Sequence, residues 1–342
     1  MEELVIASVH GPVGHLELNR PGKLNALTLA MLQELHRVLR SWAEDPKIQL
    51  VLLTGRGERG FCAGGDIADF HAAVTGGRHA DFLELLALEF RTDHLISVYP
   101  KPLMTLAHGI TMGGGIGLAS HAPVRLVTAD AKLGMPEARI GYTPDVGGSH
   151  LLANAPGHFG EYFAMTASSF SGADAVYLGF ADTVIGESFA ESILDELDDL
   201  IGLGAAEIAS AIEVLHSVPE SRQLEIEQGW VDYAFGADTP EEVLARLDTM
   251  VHPAARRAAE AIAANSPTSV VAAFHSVRAA RAEQNLRGAL DRELRLAAHL
   301  MHQPDLAEGI RAQVIDKDRN PQWQPSSPRE VNASALLALM DQ

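Results

Sequence analysis

The chain has 342 residues, a net charge of −19 and one cysteine. That length supports one large domain or two, and 47% hydrophobic residues describe a folded globular protein, not a disordered one. The negative charge argues against broad binding to nucleic acid or anionic membrane. The lone cysteine excludes an internal disulfide or a cysteine-based zinc cluster, and the longest apolar runs fall short of a membrane span. The acidic opening MEELVIASVHG lacks the basic flank and long apolar core of a secretory signal, so the expected compartment is the cytoplasm.

In chain order, Leu4 to Val9 and Val13 to Leu18 flank Gly11-Pro12 and read as a hairpin. LNRPGKLNAL follows as a structured loop made locally basic by Arg20 and Lys23. Thr28 caps a helix through about Trp42, with Leu29, Leu32, Leu35, Val38 and Leu39 on one face. Ile48 to Thr54 is a buried strand, and the glycine-rich GRGERGFCAGGDI loop leads to Asp66, the cap of a short helix. A helix over about 80–98 carries Glu84 and Glu89. Strands at Leu103 to Ala107 and Val124 to Thr128 bracket a glycine-opened helix over roughly 113–121. Ser171 caps a short helix that Gly179 stops, and Thr183 to Ile185 is a last short strand. Strands and helices alternating in this way predict an α/β fold. Beyond about residue 187 the chain is acidic, alanine-rich and helical, with a new helix starting at Ser266-Pro267-Thr268 and a proline-broken tail at IDKDRNPQWQP. No flexible linker separates the halves, so the expected division is a core over 1–190 covered by a helical region over 191–342.

Chemistry concentrates at residues 108–148. Glycines 113 to 115 would each cost a helix interior about 1 kcal/mol relative to alanine. They make sense where bare backbone N–H groups must approach something closely, although a tight turn also uses glycine. With the loop at 60–65 they offer two sets of donors for an oxyanion hole, which stabilises a tetrahedral or enolate oxygen. No dinucleotide fingerprint or P-loop lysine is present. Glu137 and Asp145 follow prolines and read equally as helix starts or as acids flanking a cavity around Gly141 and Pro144. Cys62 has no adjacent histidine to act as its base, which makes it structural, and His108, His121 and His150 lack metal-ligand spacing. No metal or separate cofactor is expected.

FCAGGDI, KPLMTLAHGITMGGGIGL, MPEARIGYTPDVGG and LNRPGKLNAL resemble the enoyl-CoA hydratase/isomerase (crotonase) superfamily over roughly residues 5–190. HGITMGGGIGL, the PE and PDVGG segments, NSPTS at 265–269 and the IDKD-x-x-P-x-W-x-P tail are similar to the 3-hydroxyisobutyryl-CoA hydrolases, extending the likeness over nearly the whole chain. The resemblance implies a crotonase-like spiral of ββα units followed by C-terminal helices. It implies an acyl-CoA substrate, with coenzyme A present only as part of that substrate, no nucleic-acid or membrane partner, and a trimer-based homo-oligomer. The thioester oxygen would sit between the amides of Gly65 and Gly114, with Glu137 and Asp145 catalytic. Glu89, Gly114, Glu137 and Asp145 would contact substrate, and Arg20, Lys23 or Lys317 would meet the CoA phosphates. Hydratases of the superfamily carry a glutamate on the glycine helix where this chain has Gly117, and glycine where it has Asp145. The implied reaction is therefore hydrolysis of 3-hydroxyisobutyryl-CoA to 3-hydroxyisobutyrate and CoA, in valine catabolism. The alternatives are a hydratase or isomerase working with Glu137 alone, a thioesterase acting on another short hydroxyacyl-CoA, and a non-catalytic acyl-CoA-binding protein.

Overall fold

A computed structural model describes residues 3–218 and 223–341. Its strands are β1 (Val5–His10), β2 (Val13–Leu18), β3 (Leu50–Gly55), β4 (Leu103–Ala107), β5 (Ile110–Met112), β6 (Val124–Thr128), β7 (Lys132–Gly134), β8 (Ser169–Ser171) and β9 (Thr183–Ile185). The helices run α1 (Leu29–Glu44), α2 (Ile67–Thr75), α3 (His79–Ser97), α4 (Gly114–Ser120), α5 (Gly148–Ala153), α6 (Phe159–Thr166), α7 (Gly172–Tyr177), α8 (Glu187–Glu196) and α9 (Ala205–His216). They continue as α10 (Gln223–Phe235), α11 (Pro240–Thr249), α12 (Pro253–Ala264), α13 (Pro267–Glu283), α14 (Leu286–Leu300), α15 (Pro304–Ile310) and α16 (Ala333–Met340).

Two compact units emerge, one formed by 1–65, 88–133 and 170–222, the other by 66–87, 134–169 and 223–342. The chain thus passes between them repeatedly, where the sequence suggested one division near residue 190. The reason is local: 66–87 and 134–169 are held by the C-terminal helices, while α8 and α9 belong with the strands.

The first unit is built on a six-stranded sheet in the order β1-β2-β3-β4-β6-β9, antiparallel only between β1 and β2. β1 and β2 form the predicted hairpin, turning at Gly11 with φ +56. Alternation along β2 sends Leu16 and Leu18 to one side and Val13 to the other. On Val13's side, Leu52, Leu106 and Leu126 join Phe189, Ile193, Ile208 and Ile212 of α8 and α9 in one apolar cluster. α1 carries the predicted stripe, capped by Thr28, whose side chain accepts from the Met31 N–H. Trp42 on that helix lies against Gly14, where a Cβ would come 2.6 Å from its ring. A second sheet, in the order β5-β7-β8, uses strands of three residues each.

In the second unit α13 is buried along most of its length and touches α5, α6 and α14. Its start was legible: Ser266 accepts from the Ser269 N–H and Pro267 occupies the first turn.

Candidate active site

In the first unit the loop after β3 is fixed by Asn25, from the LNRPGKLNAL segment. Fully buried with φ +54, it donates through Nδ2 to the carbonyls of Arg56, Gly60 and Phe61 at 3.1, 3.2 and 3.0 Å. Its Oδ1 accepts from the Arg20 N–H at 2.8 Å. One asparagine therefore holds two loops that hydrophobic periodicity does not describe.

That loop runs along β5 and the start of α4. Cys62 N–H donates to the Ile110 carbonyl, and Met112 N–H donates back to Cys62 at 3.0 Å. Each of the three glycines then has its own reason. Gly113 has φ +51 and ψ −120, a conformation side chains resist. A Cβ on Gly114 would lie 2.1 Å from Glu89 Oε1, and one on Gly115 would lie 2.3 Å from the Cys62 carbonyl oxygen. A Cβ on Gly64 would lie 3.2 Å from the Gly114 nitrogen, so the two glycine segments are flush. Among the described residues neither the Gly65 nor the Gly114 N–H donates to a backbone acceptor. Gly114 opens α4, where the first amides have no intrahelical partner.

Glu89, on α3, is 2% exposed, and its Oε1 accepts no hydrogen bond among the described residues. Burial pushes its carboxyl up to about 8, so it is a neutral acid at pH 7. Asp93, one turn further along α3, is also fully buried. Cys62 is buried as well, donating its thiol hydrogen to the Asn25 carbonyl at 3.3 Å. Burial, and then the nearby carboxyls, push that thiol up to about 12, so no thiolate nucleophile is available.

Glu137 and Asp145 belong to the second unit and are 6% and 7% exposed. Glu137 opens a 3-10 helix (Glu137–Ile140) directly after Pro136, so its helix-start character and its burial coexist. The NSPTS motif secures this helix: Ser266 N–H donates to the Ala138 carbonyl at 3.0 Å, and Ser266 Oγ donates to Asp305 Oδ2 at 2.6 Å. The tail motif completes the brace. Gln324 N–H donates to Asp305 Oδ1 at 2.8 Å, and Trp323 Nε1 donates to the Ala264 carbonyl at 3.1 Å. Motifs far apart in sequence therefore converge on the turn carrying Glu137.

Asp145 precedes two left-handed residues, Val146 at φ +51 and Gly147 at φ +75. A Cβ on Gly148 would come 2.5 Å from Met135 Cε, so the start of α5 lies against the segment leading into Glu137. Sequence reasoning missed Glu293, which is 1% exposed and accepts from the N–H groups of Gly147 and Ser149 and from the Ser149 hydroxyl. Nothing local marks it, because its partners lie some 146 residues earlier.

Of the basic candidates, Arg20 donates through Nη1 to the Ala26 carbonyl at 2.6 Å, bracing its own loop. Lys23 is exposed in the first unit; Lys317 is exposed in the second, with φ +59.

A family model described as enoyl-CoA hydratase/isomerase matches residues 13–340. The chain belongs to the enoyl-CoA hydratase/isomerase family. Within this family it is similar to the mitochondrial 3-hydroxyisobutyryl-CoA hydrolase of Danio rerio, 35% identical over 93% of this chain and 84% of that protein. The corresponding Gallus gallus protein is 34% identical over 96% of this chain and 86% of its own length. Among solved structures, a carnitinyl-CoA dehydratase from Mycobacterium thermoresistibile superposes with a TM-score of 0.92 at 36% identity, covering 99% of this chain and 96% of that one. An enoyl-CoA hydratase from Rhodobacter sphaeroides 2.4.1 gives 0.91 at 37%, covering 99% and 97%. The crotonase fold expected from the motifs is thus the fold of this chain. No helix among the described residues is long and apolar enough to cross a membrane.

Proposed function

We propose that this chain hydrolyses the thioester of a short hydroxyacyl-CoA, 3-hydroxyisobutyryl-CoA being the preferred substrate. The observation that carries the reading is the acid set: Glu137 and Asp145 are both buried beside braced turns, while α4 has Gly117 where hydratases of the family present a glutamate. The relatives named as hydrolases support it.

In this reading the amides of Gly65 and Gly114 take the thioester oxygen, whose negative charge grows as the carbonyl carbon becomes tetrahedral. Glu137 adds to that carbon through its carboxylate, or removes a proton from a water that adds. The C–S bond breaks, and the CoA thiolate takes a proton with the help of Asp145. If Glu137 adds directly, water then cleaves the acyl anhydride and restores the carboxylate. Glu89 contacts the acyl group, and Lys23, Arg20 or Lys317 meets the CoA phosphates.

The similarity to a solved carnitinyl-CoA dehydratase and a solved enoyl-CoA hydratase favours a second reading, hydration or dehydration of an enoyl-CoA. A thiol-release assay over a panel of short acyl-CoAs, run beside hydration of crotonyl-CoA, separates the two. Release from a hydroxyacyl-CoA should be the faster reaction, and hydration outrunning it would overturn the hydrolase reading. A trimer-based assembly is part of the same proposal, and sedimentation tests it. The cytoplasmic placement also stays a proposal, since the vertebrate relatives are named mitochondrial.

A further inference from the structure

The loop that carries Asp145 is strained and held from a distance. A β-branched residue at positive φ is rare because its side chain crowds the backbone, yet Val146 has φ +51. Such a conformation persists only where the surroundings hold it. Here the holding group is Glu293 on α14. Its Oε2 accepts from Gly147 N–H at 2.7 Å, and its Oε1 accepts from Ser149 N–H at 3.0 Å and from Ser149 Oγ at 2.5 Å. The amides of Gly147 and Ser149 and the Ser149 hydroxyl are thus drawn to one buried carboxyl, while the Gly148 N–H between them donates to the Asp145 carbonyl.

We propose that Glu293 is the positioning residue for Asp145: as a carboxylate it clamps the amides of Gly147 and Ser149 and so fixes the turn that aims Asp145 at the substrate. The role of Asp145 rests on the reading given under Proposed function; the clamp itself does not.

All three donors favour the ionised carboxylate, whereas protonation occupies one oxygen and loosens the turn. The groups around Glu293 make that change reachable. Burial pushes its carboxyl up to about 7, opposed by the Ser149 and Gly147 donors and by Arg292 next to it. Arg292 in turn meets Glu283 of α13 at 2.7 Å. α5 adds His150, whose imidazole burial holds below its ordinary value, and α16 carries no charged side chain. Ionisation of Glu293 on raising the pH through neutrality therefore tightens the turn.

The test compares wild type, Glu293→Gln and Ser149→Ala across about pH 5.5–8.5, reading thiol release and amide hydrogen exchange at residues 145–150. Wild-type kcat should rise through an acid limb near neutrality, with KM nearly constant. Glu293→Gln should lose that limb and run roughly tenfold or more slower throughout, as expected when a reacting group is misplaced by a fraction of an ångström. Ser149→Ala deprives the carboxylate of one donor, so its limb should move to higher pH. It keeps the clamp testable if Glu293→Gln fails to fold. Exchange at Gly147 and Ser149, corrected for intrinsic rates, should speed up below neutrality in wild type and be fast at every pH in Glu293→Gln. If no acyl-CoA yields thiol, the hydrolase reading falls, and exchange alone judges the clamp. Protection at 147 and 149 that ignores both substitutions, or an unmoved limb in Ser149→Ala, would overturn the proposal.

Discussion

The Oε1 atom of Glu89 stands 2.1 Å from the point where a Cβ on Gly114 would be, so the glycine makes room for the acid. Gly114 is the first residue of α4, and a Cβ there would also lie 3.1 Å from Leu27 Cδ1, so alanine overpacks a buried site. Gly114→Ala should therefore lose about 1–3 kcal/mol of stability while displacing the Glu89 carboxyl. Thiol release should fall by about tenfold or more. Calorimetric melting with a turnover assay checks both halves, and full activity in this variant would mean that the placement of Glu89 is immaterial to turnover.

Glu89 also gives a pH signature in stability. Its folded carboxyl is pushed up to about 8 from an ordinary value of 4.5. Between those values the unfolded chain releases a proton that the folded chain keeps, so stability declines as the pH rises through that window and levels off above it. Glu89→Gln has no proton to lose. Its unfolding free energy should gain on wild type by a few kcal/mol in all, at no more than about 1.4 kcal/mol per pH unit. Denaturant titrations near pH 5 and pH 8 measure the gap, and a constant gap would show that Glu89 is already ionised in the fold.

Glu137→Gln keeps the side chain's size and removes its charge. Thiol release should drop to the background rate while calorimetric affinity for CoA stays within about twofold, since the uniform binding contacts are untouched. Asp145→Asn should slow release less severely. Retained turnover in Glu137→Gln would move the chemistry to another residue.

Ser266→Ala tests the brace behind Glu137. It removes the donor to Asp305 and the cap of α13 together. A lost cap and a buried acceptor left short of a partner cost about 1–3 kcal/mol. A lower unfolding free energy is expected, with kcat reduced because the turn carrying Glu137 loosens. An unchanged denaturation curve would show that the Ser266–Asp305 bond is incidental.

Much of this was legible in the sequence where one rule governs many residues. The β1–β2 hairpin, α1 with its Thr28 cap, β4 and β6 follow from periodicity and capping, and α3 and β3 came out within two residues of their ends. β5, β7 and β8 were missed, since three residues are too few for an alternating pattern to show. α16 beyond the proline-broken tail was also missed. The glycine run was legible as a need for close approach, but the atoms approached, Glu89 Oε1 and the Cys62 carbonyl, were not. Glu293 was invisible for the same physical reason: a hydrogen bond between residues 146 apart leaves no mark on either neighbourhood.

The alternation of the chain between its two units also bears on its synthesis. Residues 170–222 complete the strand-bearing unit, and the helical one needs segments from 66 onward to the tail. Neither can be cut out as one continuous fragment. On the ribosome, the turn bearing Glu137 emerges long before Ser266 and Asp305 arrive to secure it, leaving half-built surface exposed in the interval. A nascent chain of this kind is a natural client for chaperones until translation ends.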